Sequence, residues 1–300
     1  MIHVITGQTA TGKTAYALEL AKKLNAQIIN ADARQIYKHL DIVTGKDKDK
    51  DSNFVLTKKN GKFEIGYHTL NGVNIWLYDM LYPDKSCTSY DYATIAKELI
   101  LNFIAQDKNV IIVGGSIFYI QSLLYPILTW NVPPNLKLRE ALNKLNVNDL
   151  QRKLEFLNKE LYESLNNSDK NNPHRLIRKI EISKFKKNTK HEMSPQIKLP
   201  FKINAFIFKN QDLARKKIES RVNNRILNGA MKEIEFLREK GYTLNDPGLK
   251  SIGYAQLYKA LNNELSQQEA IADWINKELQ YSKRQLTLLK TFNGINWNYV

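Results

Sequence analysis

Gly7-Gln8-Thr9-Ala10-Thr11-Gly12-Lys13-Thr14 satisfies G-x-x-x-x-G-K-[ST] at every fixed position, the spacing of a loop that wraps a chain of phosphates. Its glycines let backbone N–H groups turn inward around an anion, and the helix that follows adds the positive end of its dipole. Lys13 would give the phosphates a point charge, and the Thr14 hydroxyl would be offered to Mg²⁺. Most such loops hold ATP or GTP, but some hold the diphosphate of another substrate, and the loop alone does not choose. Two further groups stand where chemistry could be done. Asp32 closes the segment Gln27–Asp32, and Ser116 follows Gly114-Gly115. On residue type alone, Asp32 could be a proton acceptor or a helix cap. Ser116 could bond a phosphate or act as an N-cap.

These groups need elements to carry them. Ile2–Ile5 is a short apolar run of strand type, and Ala15–Leu24 has apolar residues at helical spacing. Gln27–Asp32, Val110–Val113 and Asn204–Phe208 read as further strands, and Ile117–Leu124 as a helix. Strands alternating with helices imply an α/β fold. Its expected form is a P-loop NTPase-like parallel sheet flanked by helices, with functional groups past the carboxyl ends of strands. Asn60-Gly61 and Asn71-Gly72 suggest a hairpin region over Lys58–Leu77. Pro126 to Pro134 breaks the pattern. Leu136–Ile182 then reads as a helical insertion, punctuated by a loop at Asn166–Pro173, and Met193–Pro195 to Pro200 returns the chain to the core. The expected organisation is a catalytic core of 1–128 and 200–300 with a helical, basic insertion domain of 129–199. From Leu213 the chain reads as helical. Asp212 is expected to cap the first helix and Gly241 to end it, a turn follows at Asn245–Gly248, and Lys250–Ala255 leads into two more helices.

The formal net charge of this 300-residue chain is +15. Thr129–Leu199 carries 15 Lys/Arg against 8 Asp/Glu, and Arg175–Lys190 has seven basic residues and one acid, Glu181. A solvated helix face is one reading. A nucleic-acid backbone contact, with counterion release and salt-dependent binding, is the other. One cysteine, Cys87, excludes a disulfide framework and speaks against a cysteine zinc site. With no apolar run of membrane-spanning length and no N-terminal signal, a cytoplasmic location with no membrane partner is expected.

Several segments taken together resemble one family. They are the loop Gly7–Thr14; Asn30-Ala-Asp-Ala-Arg-Gln-Ile-Tyr-Lys38 with Asp41-Ile-Val-Thr-Gly-Lys46; Val113-Gly-Gly-Ser-Ile-Phe-Tyr-Ile-Gln121; Pro173-His-Arg-Leu-Ile-Arg-Lys-Ile-Glu181; Ser251-Ile-Gly-Tyr254; and Lys283-Arg-Gln-Leu-Thr287. In order and spacing they are similar to the bacterial tRNA dimethylallyltransferases, over almost the whole chain. The resemblance implies that the loop, from Gly7 and Gln8 through Thr9, Ala10, Thr11, Gly12, Lys13 and Thr14, holds the diphosphate of dimethylallyl diphosphate with Mg²⁺ on Thr14. It implies prenyl transfer to N6 of the adenosine 3′ to the anticodon of tRNA, with diphosphate leaving. Asp32 matches the family's general base. Lys13, Ser116 and Arg221 match its diphosphate-side catalytic groups. The implied tRNA contacts are Asp32, Ala33, Arg34, Gln35 and Ser116; His174, Arg175, Leu176, Ile177 and Arg178; Lys250, Ser251, Ile252, Gly253, Tyr254 and Ala255; and Lys283, Arg284, Gln285 and Thr287. The insertion would clamp the anticodon stem-loop, and the enzyme is expected to be a monomer.

The chain departs from the family pattern in places. Gln8 stands for the usual proline and should still offer its backbone amide. Ala33 stands for serine, Ser116 for threonine and Asn172 for aspartate, and Leu288-Leu-Lys290 replaces a tryptophan-containing ending. No cysteine/histidine zinc extension of the eukaryotic kind is expected beyond Trp297. Three other readings compete. An adenylate isopentenyltransferase acting on free AMP, ADP or ATP would share the loop and Asp32 but need neither the basic insertion nor Arg-Gln-Leu-Thr. A small-molecule kinase would need an adenine site and an arginine-bearing lid. A tRNA-binding protein without catalysis would not need Asp32, Lys13 and Thr14 together.

Overall fold

Short apolar runs alternating with amphipathic helices assemble into one eight-stranded sheet of order β3-β4-β5-β2-β6-β1-β7-β8. The fold is that of a computed structural model, which describes residues 1–49, 52–125, 132, 134–185 and 199–300. Strands β1 (Ile2–Gly7), β2 (Ala26–Asn30), β5 (Val73–Trp76), β6 (Asn109–Val113), β7 (Phe201–Ile207) and β8 (Ile295–Tyr299) run parallel to their neighbours in that group. β3 (Val55–Asn60) and β4 (Phe63–Leu70) extend the sheet antiparallel, so the expected hairpin region is a three-strand meander ending in β5. The parallel α/β sheet is thus the one expected. Its C-terminal edge strand β8 has no strong apolar run and was not foreseen.

The order places β6 between β1 and β2, although its residues follow β2 by some eighty positions. Ile5 pairs with Val113, and Val113 pairs with Asn30. The carboxyl ends of three strands therefore lie side by side, carrying the glycine loop, Gly114–Ser116 and Ala31–Asp32. Gly114 is needed at the middle exit, because a Cβ there would stand 2.2 Å from the Ala31 carbonyl oxygen. The core beneath is built from Ile5, Ile28, Ile75, Ile111, Val113 and Phe206, with Ala17 and Ala21 of α1 (Lys13–Leu24) packed on it. Small alanines on that face let the helix behind the loop sit close to the sheet.

Helices α2 (Ser89–Ile104) and α3 (Ile117–Leu124) pack together. Beyond β7 come α9 (Gln211–Leu227), α10 (Ala230–Glu239), α11 (Tyr254–Leu261) and α12 (Gln267–Leu289). Two expectations are corrected here. Asn210, not Asp212, caps α9, its side chain accepting from Leu213 N at 2.8 Å. The helix expected to run on to Gly241 breaks earlier, at Asn228-Gly229, where Gly229 has a φ of 98°. Among the described residues no helix is long and apolar enough to cross a membrane.

The chain divides into two compact units, Met1–Tyr125 with Gln196–Val300, and Pro126–Pro195. The second unit holds α4 (Leu136–Leu142), α5 (Val147–Leu157), α6 (Lys159–Glu163), α7 (Asn167–Lys170) and α8 (Pro173–Lys184). Its own core is Leu142, Leu150, Leu154, Leu165, Leu176, Ile177 and Ile180. The loop expected at Asn166–Pro173 contains one short helical turn, α7, and Pro173 occupies the first position of α8 behind an Asn172 cap. The expected return at Met193–Pro195 and the basic residues Lys186, Lys187 and Lys190 lie outside the described residues.

Candidate active site

The loop between β1 and α1 forms one wall of a cavity of about 1490 Å³ in the first unit. Lys13 Nζ donates to the Gln8 carbonyl at 2.6 Å, and Thr11 Oγ1 donates to the same oxygen at 2.8 Å. Burial, helped by Arg221 and opposed by Asp32 and Glu278, pushes the Lys13 ammonium down to about 7. A lysine in that condition gains most from an anion that restores its charge.

Helix α12 fixes the loop from behind, through a stripe that the sequence reading missed. Glu278, Tyr281, Ser282 and Gln285 recur at i, i+3, i+4 and i+7, which is one helix face. Three of these polar residues, Glu278, Ser282 and Gln285, are buried. Gln285 accepts from Thr9 N at 2.8 Å and donates to the Gly115 carbonyl at 2.9 Å, tying the loop to the end of β6. Ser282 accepts from Gln8 Nε2 at 2.9 Å, and Gln8 Oε1 accepts from Phe208 N at 2.8 Å. The residue in the proline position therefore contributes a side chain that pins the loop to β7's exit and to α12, not only a backbone amide. Tyr281 donates to the Gly115 carbonyl at 3.0 Å.

Asp32 leaves β2 half-buried. Its Oδ1 accepts from Arg34 N at 2.8 Å, closing a local turn, and its own N–H donates to Asn30 Oδ1 at 3.1 Å. Ser116 Oγ accepts from Ala33 N at 2.8 Å, and Ser116 N donates to the Ala31 carbonyl at 3.1 Å. Ser116 stands at the N-cap position of α3 but makes no side-chain cap bond there. Its hydroxyl instead holds the segment that carries Asp32.

Two arginines of α9 face the cavity. Arg221 donates to Thr9 Oγ1 and, at 3.0 Å, to Glu278 Oε2. Its Nε is buried and has no acceptor among the described residues. Arg225 lies 3.5 Å from Glu278 Oε1 and donates to the Thr44 carbonyl at 3.0 Å. Burial and the neighbouring Arg221 push Arg225 down to about 10, and it stays charged at neutral pH. One carboxylate thus holds two guanidiniums at the loop, a cluster with a surplus of positive charge.

The segment Asp41–Asp47 forms the opposite wall. Glu233 of α10 accepts from Asp41, Ile42 and Val43 N, at 2.9, 2.6 and 3.1 Å, and from the Tyr254 hydroxyl at 2.5 Å. Gln35 donates to the Gly45 carbonyl at 2.7 Å. Lys46 is buried and donates to Tyr37 O, to Asp41 at 2.7 Å and to Asp79, whose other oxygen meets His68 Nε2 at 2.7 Å. Burial opposes the ionised form of Asp79, but Lys46 and the His68 bond hold its carboxyl well below the usual range. Asp47 lies on the cavity wall, where its carboxylate interacts with the Thr14 hydroxyl. It is a site residue that the sequence reading stopped one position short of.

The cavity brings together Thr9 to Thr14, Asp32 to Gln35, Ser116, Arg221, Lys250 to Ile252, Arg284 and Gln285. Gly7 and Gln8 support it from behind. Several expected RNA contacts are corrected as side-chain contacts. Gln285 and Ser251 are buried and bonded inward, Ser251 to the Gly248 carbonyl at 2.5 Å. Tyr254 is fully buried on Glu233. Gly253 has a φ of 96°, and a Cβ there would strike Val43 and Trp274. In the second unit Leu176 and Ile177 are core. Arg178 pairs with Glu181 and donates to the Val132 carbonyl, and Arg139 holds the same Glu181 at 2.8 Å. The single acid of the basic stretch therefore binds two arginines. His174, Arg175, Lys250, Lys283, Arg284 and Thr287 are exposed.

For a divalent cation, the donor set fits Mg²⁺ in kind: hard oxygens at the first helical turn, from Thr14 and its carboxylate partner. Among the described residues no three His, Cys, Asp or Glu gather as a metal cluster. Such an ion would rely on substrate phosphates and water for its remaining ligands, as Mg²⁺ commonly does.

A family model described as IPP transferase matches residues 35–292, and one described as isopentenyl transferase matches residues 1–59. The tRNA dimethylallyltransferase of Staphylococcus aureus is 30% identical over an alignment of 306 residues, covering 99% of this chain and 91% of that protein. The crystal structure of a tRNA delta(2)-isopentenylpyrophosphate transferase from Staphylococcus epidermidis matches with a TM-score of 0.67 at 27% identity, covering 99% of this chain and 92% of that one. A eukaryotic dimethylallyltransferase acting on tRNA shares the fold at a TM-score of 0.78 and 21% identity, covering 99% and 73%. With most of its length matched by one family model and nearly all of it by a curated relative, the chain belongs to the IPP transferase family.

Proposed function

We propose that this protein transfers the dimethylallyl group of dimethylallyl diphosphate to N6 of the adenosine 3′ to the anticodon of tRNA, releasing diphosphate. The observation that carries the reading is the shared cavity. A phosphate loop, two arginines and Asp32 line one space in a chain of this family. Loop amides, Lys13 and Arg221 hold the diphosphate and take up the negative charge that grows on it as the allylic C–O bond breaks. The exocyclic amine is a poor nucleophile, because its lone pair is delocalised into the ring. Asp32 accepts the N6 proton as the C–N bond forms. Ser116 acts through Asp32's segment rather than on the diphosphate. Mg²⁺ held by Thr14 would offset the negative charge on the leaving diphosphate.

The target base lies in an RNA loop, where it can be unstacked into a pocket at a cost of about a few kcal/mol. Arg34, Lys250, Lys283, Arg284 and Thr287 on the first unit, and His174 and Arg175 on the second, are the exposed groups assigned to RNA. Residues 129–199 act as the clamp on the anticodon stem-loop. The protein works as a monomer in the cytoplasm. The curated relatives and the basic helical unit favour tRNA over free AMP as acceptor.

Labelled dimethylallyl diphosphate with Mg²⁺ and unmodified tRNA, with AMP in a parallel tube, tests this. Label on tRNA alone is the expected result. Label on AMP alone would replace the reading by an adenylate isopentenyltransferase, and no label in either tube would remove prenyl transfer.

A further inference from the structure

We infer that Asp47 is a second protein ligand of the divalent cation, forming with Thr14 a two-oxygen seat at the mouth of the phosphate loop. This rests on the reading of the loop as a diphosphate site. Three observations lead to it. The Asp47 carboxylate interacts with the Thr14 hydroxyl and lines the same cavity. Its flanking lysines are committed elsewhere, Lys46 to Asp41 and Asp79, and Lys48 to Asp41 at 2.8 Å. Among the described residues no lysine or arginine lies within ion-pair distance of Asp47. Arg225 and Arg221 act on it only from across the cavity, outside ion-pair distance. A carboxylate with no direct cationic partner on the wall of an anion site repels the anion, unless a cation stands between them.

The pairing also has a mechanical precedent in the general chemistry of such loops. P-loop proteins hold Mg²⁺ between the loop's Ser/Thr hydroxyl and an aspartate that reaches it from another element. Here the acid past the end of β2, Asp32, is assigned as the base and does not fill that role. The Asp41–Asp47 segment does, and it is built to hold position. Glu233 takes three successive N–H groups at Asp41 to Val43, and Gln35 and Arg225 hold the Thr44 and Gly45 carbonyls. One carboxylate and one hydroxyl, completed by diphosphate oxygens and water, is a ligand set that suits Mg²⁺. A plain structural role is the competing account, in which Asp47 only anchors Thr14 at the start of α1.

The two accounts separate on metal binding rather than turnover. Mn²⁺ serves as the probe, its free concentration read by electron paramagnetic resonance on the full chain with saturating inorganic diphosphate. Asp47→Asn should weaken Mn²⁺ at least tenfold, and Asp47→Glu, which keeps the carboxylate, should recover most of that loss. In chelator without metal, Asp47→Asn should bind diphosphate as tightly as the wild type or more tightly, since a like charge has been removed. Mn²⁺ affinity within twofold of wild type in Asp47→Asn would overturn the assignment and leave Asp47 as an anchor. A wild type that binds no diphosphate would instead overturn the donor reading, and the assignment with it.

Discussion

Gln285 separates two accounts of the same motif. If Lys283-Arg-Gln-Leu-Thr287 were wholly an RNA-contact segment, Gln285→Ala would weaken RNA binding and leave stability alone. The structure gives the opposite expectation. Gln285 is 2% exposed and is the acceptor found for Thr9 N, while its amide end serves the Gly115 carbonyl. Orphaning the Thr9 N–H costs about 1–3 kcal/mol, and the Gly115 carbonyl, which keeps the Tyr281 hydroxyl, loses about 1 kcal/mol more. A loss of about 2–4 kcal/mol follows. The unit that holds the loop spans about 230 residues. At about 2.1 cal/mol/K per residue its unfolding entropy is about 0.5 kcal/mol/K, so the melting temperature should fall by about 4–8 °C. Circular dichroism melts read this directly, with Arg284→Ala, an exposed neighbour, as the companion. Arg284→Ala should melt with the wild type and weaken tRNA binding. A Gln285→Ala variant that melts within about 1 °C of wild type, yet binds tRNA tenfold more weakly, would refute the clamp and return Gln285 to the RNA surface.

Other expectations follow from the same site. Asp32→Ala should lower prenyl transfer by about 10²–10⁴-fold, the range for a lost general base, with tRNA affinity within about twofold of wild type. Unchanged turnover would remove Asp32 as the base. Burial lowers the Lys13 ammonium to about 7, so much of it is neutral at pH 8, and bound diphosphate should restore its charge. Calorimetry in buffers of different ionisation enthalpy should therefore show more proton uptake at pH 8 by wild type than by Lys13→Met. An equal uptake would deny the linkage. Asp79 is held well below the ordinary carboxylate range, so the stability it contributes is complete above about pH 4 and fades as pH falls further. Asp79→Asn should be less stable at pH 7, and its urea midpoints should fall less steeply than wild type below pH 4.

Local chemistry carried far in the sequence. The glycine loop announces itself because its function needs glycines and a Lys-Thr pair in fixed spacing, and that pattern survives without any knowledge of the fold. The inner parallel strands β1, β2, β6 and β7 announce themselves as short apolar runs, since a strand covered on both faces has no polar side to interrupt it. Asn71-Gly72 marks a hairpin because only such residues accept the positive φ values found there. Cap choice was less legible. Asn210 and Asp212 are both acceptable N-caps, and only the backbone path decides which one begins the helix.

Position in the fold decided the rest. Gln8, Glu233, Glu278 and Gln285 read as ordinary polar residues, and nothing in their neighbours along the chain shows that they are buried. Their roles depend on partners up to 276 positions away. Asp47 reads as one charge in a run of lysines and aspartates until its neighbours prove to be paired with other acids. Leu176, Ile177 and Tyr254 sit inside motifs that signal function, yet they pack the core, because a motif fixes residue order while burial fixes which way each side chain is used. By itself, then, the sequence determined the kind of site: an anion loop, a carboxylate past a strand end and a basic helical insertion. The tertiary structure decided which polar groups build that site and which only support it. Those choices rest on contacts between strand ends and helices that the chain brings together only when β6 takes its place between β1 and β2.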